Sequence, residues 1–350
     1  MRPIRFSEQR ILTKLAINPA INKSELAKSL GVTRSAITQS WSRLENEKNL
    51  AIKSIINYPS IGLRGIFGWA ETTTNSTELE NFSKWLHSNR FVDFITESTI
   101  TSKMDYIVMF KAIVQIGAPH KHFVNQLDRF RKRPYSLKVV YDDILSSVNT
   151  TNLGLYDGDS WNFESKFRFG VTIDAASDYA EILPTRSMLS PTNYRYSSFS
   201  EKIIAFALRE NYRVTTPQIV GLLKLFGEEP PSNRTIRRQL VTFRKRIATP
   251  YIHITDIGLS NKIIICIEED PNQSNLLKVF HAQASSFPRT HLVSSKKLMV
   301  LEVDVPTSGE YLTIAHNLSR IADSSTTICT FIARKSLEKK ELHEILHNLR

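Results

Sequence analysis

The feature that most limits the fold is repetition. TRSAITQSWSRLENE at 33–47 aligns with SNRTIRRQLVTFRKR at 232–246 at a constant offset of 199. Ile37, Trp41 and Leu44 fall on Ile236, Leu240 and Phe243. That spacing is one face of a helix, so both segments are expected to be amphipathic helices docked on a core. The match extends upstream, where SEQRIL at 7–12 pairs with SEKIIA at 200–205, and downstream, where SIGLRGIFGWAE at 60–71 pairs with DIGLSNKIIICIEE at 256–269. A chain of two related halves must fold as two related units, because each repeat carries its own apolar faces.

After each helix the same order of elements recurs. GIFGWAE, a helix carrying Leu79, Phe82 and Leu86, FVDFITES, MDYIVMFKAIV, a helix carrying Phe123, Leu127 and Phe130, and SLKVVYDD read as β-α-β-β-α-β. KIIICIEE, a helix near 274–286, THLVSS, LMVLEVDV, a helix carrying Ile314, Leu318 and Ile321, and TTICTFIARK repeat it. This is the ferredoxin-like pattern, a scaffold that hosts many functions.

Each half opens differently. Ser7 is expected to cap a first helix, Asn22 and Glu25 have capping-box spacing, and Gly31-Val32-Thr33 makes a tight turn into a third helix capped by Thr33. Helix, short glycine turn, helix is a helix-turn-helix, and LAIKSIINYPSIGL reads as the two strands of a wing. The expected class is therefore α+β. Its domains are two winged helix-turn-helix units at 1–63 and 197–259, and ferredoxin-like units at 64–150 and 260–335. A linker at 151–196, with a hairpin at SWNFESKFRFGVTI, and a C-terminal helix at 336–350 complete the chain.

The outward residues of the third helix point to a polyanion. Thr33, Arg34, Ser35, Thr38 and Gln39 in the first half correspond to Ser232, Asn233, Arg234, Arg237 and Arg238 in the second, and Arg43 and Arg244 lie further along the two helices. Gln and Arg make bidentate contacts to adenine and guanine edges, while Ser and Thr serve bases or phosphates. The formal charge of +12 and pI near 9.6 fit double-stranded DNA as the partner. No apolar run approaches the roughly 20 residues of a bilayer span, and MRPIRFSEQR has no apolar export segment, so a cytoplasmic protein without a membrane partner is expected.

KSELAKSLGVTRSAITQSWSRLENEKNLAIKSIINYPSIGL resembles the DNA-binding unit of the Lrp/AsnC regulators, and KMDYIVMFKAIV resembles a strand of their αβ domain. The resemblance implies a transcription regulator made as a tandem fusion, with a small-molecule effector at the αβ domains and assembly into homo-oligomers. The family's glycine-rich effector segment has no counterpart beyond Gly117 in QIGAPH.

HEILH at 343–347 matches a zinc-protease motif, but only three residues follow and no third ligand is available downstream. Cys266 and Cys329 lie in apolar runs and read as buried thiols. No phosphate-cradling or nucleophile-elbow motif occurs, so neither catalysis, a cofactor nor a metal is expected. Two alternatives stand beside the regulator. One is a sequence-tolerant chromatin-associated protein. The other is an enzyme resembling siroheme decarboxylases, themselves similar to Lrp/AsnC proteins, with Arg129, Arg131, His120 and His122 as carboxylate-binding candidates.

Overall fold

The computed structural model describes residues 3–72, 76–101, 106–135, 137–163, 197–269, 276–307, 309–319, 326–334, 338–339 and 342–349. Most of the expected linker and the hairpin read in SWNFESKFRFGVTI lie outside the described residues, as does Ile321.

The first half opens with helices α1 (Phe6–Ile17), α2 (Lys23–Leu30) and α3 (Arg34–Lys48). Helix α1 begins one residue before the expected Ser7: Arg5 is the N-cap, its backbone N–H donating to the Glu8 carboxylate at 3.0 Å. The other caps form as read. Asn22 accepts from Ser24 and Glu25, Glu25 accepts from the Asn22 backbone, and Thr33 accepts from Ala36. Gly31 ends α2 at φ +66°, a left-handed position that glycine occupies without strain. Ile11, Leu15, Leu26, Ile37, Trp41 and Leu44 form the unit's core.

Strand β1 (Ala51–Ile56) follows, then a single 3-10 turn at Tyr58–Ile61 instead of a second wing strand. The αβ unit comprises β2 (Leu63–Thr72), α4 (Ser76–Ser88), β3 (Val92–Thr101), β4 (Tyr106–Gln115), α5 (Ala118–Phe130) and β5 (Lys138–Asp143), with an unforeseen strand β6 (Ser146–Thr151) after it. The second half repeats the plan with α6 (Phe199–Glu210), α7 (Thr216–Leu225), α8 (Asn233–Arg246) and β7 (Ala248–His253). Its αβ unit comprises β8 (Asn261–Glu269), α9 (Leu276–Gln283), β9 (Arg289–Ser294), β10 (Leu298–Val305), α10 (Glu310–Ser319) and β11 (Thr326–Ala333). The short strand β12 (Glu338–Lys339) and helix α11 (Leu342–Asn348) end it.

The halves are joined by strands, not merely by a linker. β1 pairs antiparallel with β7, Ile52 facing Ile252, so the strand expected to close each wing instead pairs with its counterpart 200 residues away. The other sheet has the order β5-β2-β4-β3-β11-β8-β10-β9-β6, all antiparallel, with β12 on β3. Within each half this is fourth, first, third, second strand. The molecule is thus a mixed α+β fold with antiparallel sheets.

Strands β5 and β6 stand at opposite ends of that order yet are separated by two residues. Ile144 N–H donates to Gly65 O at 2.8 Å and Leu145 N–H to Ser294 O at 2.9 Å, so the chain crosses directly from one half's sheet to the other's. The two sheet faces therefore oppose each other over a shared core of Phe67, Trp69, Met109, Ile264, Cys266, Val300 and Phe331. Each buried aromatic there contributes about 1.5–3 kcal/mol by leaving water. Gly68 permits close approach of β5, since a Cβ there would lie 2.2 Å from Val140 O.

Candidate active site

The alternation of a strand sends neighbouring residues to opposite faces. On β4, Val108, Phe110 and Ala112 cover the helices of the first half while Met109 and Lys111 face the other sheet. On β10, Met299, Leu301 and Val303 cover the second half's helices while Val300, Glu302 and Asp304 face inward. Lys262 on β8, and Arg289 and His291 on β9, share that inner side. Together they line a cavity of about 300 Å³ between the halves. The β1–β7 ribbon contributes Ser54, Tyr251 and His253, the turn after β1 contributes Tyr58, and the last turn of α6 contributes Arg209.

Charge is concentrated and ordered there. Lys111 Nζ lies 2.8 Å from His291 Nδ1, is ion-paired with Glu302, and sits 4.7 Å from the Phe94 ring centroid. Glu302 Oε1 is 3.0 Å from His291 Nδ1, and His291 Nε2 is 3.4 Å from Ser147 Oγ. Lys262 bridges Glu302 at 3.2 Å and Asp304 at 2.9 Å, and Arg289 pairs with Asp304 at 3.2 Å. At the α6 side, Arg209 pairs with Asp93 at 2.8 Å and donates to the Tyr58 hydroxyl at 3.3 Å. Four cations (Lys111, Lys262, Arg209, Arg289) face three carboxylates (Asp93, Glu302, Asp304). Two polar atoms in this wall, Arg289 Nε and Asp93 Oδ1, are buried without a hydrogen-bond partner among the described residues. Buried groups left unmatched are costly and point to a missing partner.

Burial and neighbouring charge compete throughout. Burial opposes ionisation of Glu302, yet Lys111, Lys262 and His291 hold its carboxyl well below the usual range. Burial lowers Lys111 despite the pull of Glu302, and burial reinforced by Lys111 lowers His291. Burial also opposes the charge on Lys262, but Asp304 and Glu302 outweigh it and raise its pKa. Tyr58 and Tyr251 are pushed up to about 12, chiefly by burial. The arrangement can bind an anion and pass a proton through the imidazole of His291.

The residues expected to face DNA lie on two other surfaces. Arg34, Ser35, Thr38 and Gln39 are exposed on α3, and Asn233, Arg234, Arg237 and Arg238 on α8; Thr33 and Ser232 are the caps. Two arginines are turned inward instead. Arg43 pairs with buried Glu8 at 3.3 Å, and Arg244 donates to the carbonyls of Tyr212 and Val214 at 3.0 and 2.7 Å. The four carboxylate-binding candidates of the enzyme alternative do not line the cavity. His120 is 2.9 Å from Asp143, Arg131 donates to Val139 O and Asp128, and His122 and Arg129 are exposed on α5. Sequence reasoning did not find the residues that do line it, although Lys111 and Glu302 each interrupt an apolar strand run.

No protein-family model matches the chain, and no curated protein matches it in sequence. Among solved structures, the siroheme decarboxylase NirDL is similar over 97% of this chain and 96% of its own, with a TM-score of 0.53 and 13% identity. The same enzyme in co-complex with an iron-uroporphyrin III analogue is similar over 97% and 95%, with a TM-score of 0.51 and 13% identity. A Neisseria meningitidis transcriptional regulator in complex with L-Met is similar over 41% of this chain and 90% of its own at 16% identity, with a TM-score of 0.29. At such identities the likeness is one of fold. The expectation of a non-enzymatic regulator is corrected by it: the fold that spans this chain end to end is that of a solved enzyme.

Proposed function

We propose that this protein is a decarboxylase acting on the carboxylate side chains of a tetrapyrrole, with the cavity between its halves as the reaction chamber. The observation that carries the reading is the His291–Lys111–Glu302 cluster walled by Arg289, Lys262 and Arg209. The full-length likeness in fold to siroheme decarboxylase supports it. A cavity of about 300 Å³ takes one carboxylate-bearing ring of such a substrate and lies at the low end of ligand pockets. Arg289, whose Nε lacks a partner, would grip a carboxylate.

Loss of carbon dioxide breaks the bond between the side-chain carbon and its carboxyl carbon. The electron pair stays on the side-chain carbon, which takes one proton to become a methyl group. His291 is placed to give it: Lys111 and Glu302 orient the ring through Nδ1, leaving Nε2 toward Ser147 and the cavity.

The test is anaerobic incubation with iron-uroporphyrin III, following the Soret band for binding and mass spectrometry for loss of carbon dioxide. Turnover in the wild type that His291→Gln removes while binding persists is the expected result. Absence of turnover in the wild type would refute the reading.

A second reading is favoured by α8, whose exposed face carries Arg234, Arg237, Arg238, Lys245 and Arg246 without an acidic residue. In it the two helical units act as winged helix-turn-helix heads of Lrp/AsnC type on double-stranded DNA, assembled through ferredoxin-like αβ domains. Fluorescence anisotropy on genomic fragments against poly(dI-dC) across a salt series tests it. Binding that vanishes near physiological salt would leave the heads without a specific target.

A further inference from the structure

Lys111 has a second chemistry available that proton transfer does not use. The residue is 8% exposed and lines the cavity, and its amine lies beside both an imidazole and a carboxylate, with the ring of Phe94 against it. A buried lysine flanked in this way is the setting in which an amine becomes a nucleophile toward carbonyl carbon. The same cavity holds Arg289, whose buried Nε has no hydrogen-bond partner among the described residues, and Lys262, both able to hold a carboxylate.

We propose that Lys111 is a carbonyl-reactive amine that forms an imine with a small oxo acid, the acid's carboxylate being held by Arg289. The cavity volume of about 300 Å³ suits a short oxo acid entire. His291 Nδ1, at 2.8 Å, takes a proton from the Lys111 ammonium. The free amine then adds to the carbonyl carbon, forming the carbon–nitrogen bond while the carbonyl electrons move to oxygen. That oxygen takes up two protons, one returned by His291 and one shed by the nitrogen once it has added, the carbon–oxygen bond breaks, and water leaves. The ammonium and the carbonyl thus become an iminium and water, with no oxidant or reductant required. The iminium charge ends where the ammonium charge stood, against Glu302, so the ion pair survives the reaction. Burial, which lowers the Lys111 pKa, enriches the free amine at neutral pH.

This inference uses the cavity but not the tetrapyrrole. The test is incubation of the full chain with pyruvate and cyanoborohydride, which delivers hydride to the iminium carbon and fixes the adduct, followed by peptide mapping. We expect Lys111 to be modified faster than the exposed lysines, since a lowered pKa raises its share of free amine. Lys111→Arg should remove that adduct and leave surface labelling unchanged. Lys111 unmodified, or modified no faster than the exposed lysines, would overturn the proposal, and this mapping needs only the wild type should the variant fail to fold. An adduct without tetrapyrrole turnover would keep the imine and refute the decarboxylase; turnover without the adduct would do the reverse.

Discussion

Lys111 on β4 and Glu302 on β10, each on the third strand of its αβ unit, form a buried ion pair across the junction of the two halves. Lys111 sits between Phe67 and Phe94 in its sheet, and Glu302 between Ile264 and His291 in the other. The pair therefore joins the two halves at the wall of the cavity.

Breaking that pair is expected to be expensive. Glu302→Gln leaves the Lys111 ammonium buried without its counter-charge and should cost about 3–5 kcal/mol, whereas replacing both partners with Met should cost less than either single change. Denaturant unfolding followed by tryptophan fluorescence reads both. A double variant as unstable as the sum of the singles would show that the two residues do not act as a pair.

Acid should destabilise the protein in two steps. His291 has a folded pKa below the ordinary 6.5, so the unfolded chain binds more protons and stability falls as pH drops through 6.5 toward the folded value. Glu302, also lowered, contributes stability that is full above the ordinary 4.5 and is lost as pH falls through its folded value. Thermal melts between neutral and mildly acid pH should show the first step, and His291→Gln should flatten it.

Arg213 of the second half clamps the first. Its guanidinium donates to Pro19 O at 3.3 Å and Ile21 O at 2.6 Å and lies 4.5 Å from the Trp41 ring centroid. Arg213→Ala should destabilise by about 1–3 kcal/mol, the cost of leaving such carbonyls unmatched. Lysine should not restore it, because its single ammonium lacks the planar fork. Loss of Trp41 fluorescence shift at a lower denaturant midpoint is the readout.

The arginines of α8 should separate into two kinds. On the DNA-binding reading, Arg237→Ala and Arg238→Ala are expected to weaken binding and lower its salt slope by about 0.9 for each phosphate contact removed. Arg244→Ala should instead destabilise the fold without changing the slope, because its donors are spent on Tyr212 and Val214. Anisotropy titrations at several salt concentrations distinguish them.

The two cysteines should be silent in the native state. Cys266 and Cys329 face each other across β8 and β11, both buried, and burial together with Cys329 raises the Cys266 thiol well above its ordinary value. A thiol-specific disulfide reagent should find neither in the folded protein and both after denaturation. Rapid native labelling would show that this core opens.

Much of the local architecture was legible in the chain. Asn22 with Glu25, Gly31 and Thr33 announce three helix termini through local contacts. The apolar periodicity of Leu79, Phe82 and Leu86, and of Phe123, Leu127 and Phe130, places two helices on their sheet. The cavity left a fainter signal. Lys111 in IVMFKAIV, Glu302 in MVLEVDV and His291 in RTHLVS each interrupt an apolar strand, and a charge there is tolerated only when something opposite satisfies it.

What the sequence determined by itself was the repeat, the order of elements within each half, and which face of each helix is apolar, because these follow from spacings of a few residues. The tertiary structure decided that β1 pairs with β7, that β3 meets β11 and that β6 joins β9, so the sheets face each other around one charged cavity. The physical reason is range. Strand pairing and charge matching between residues about 200 positions apart depend on which surfaces remain unburied once each half has folded, and no local spacing records that choice.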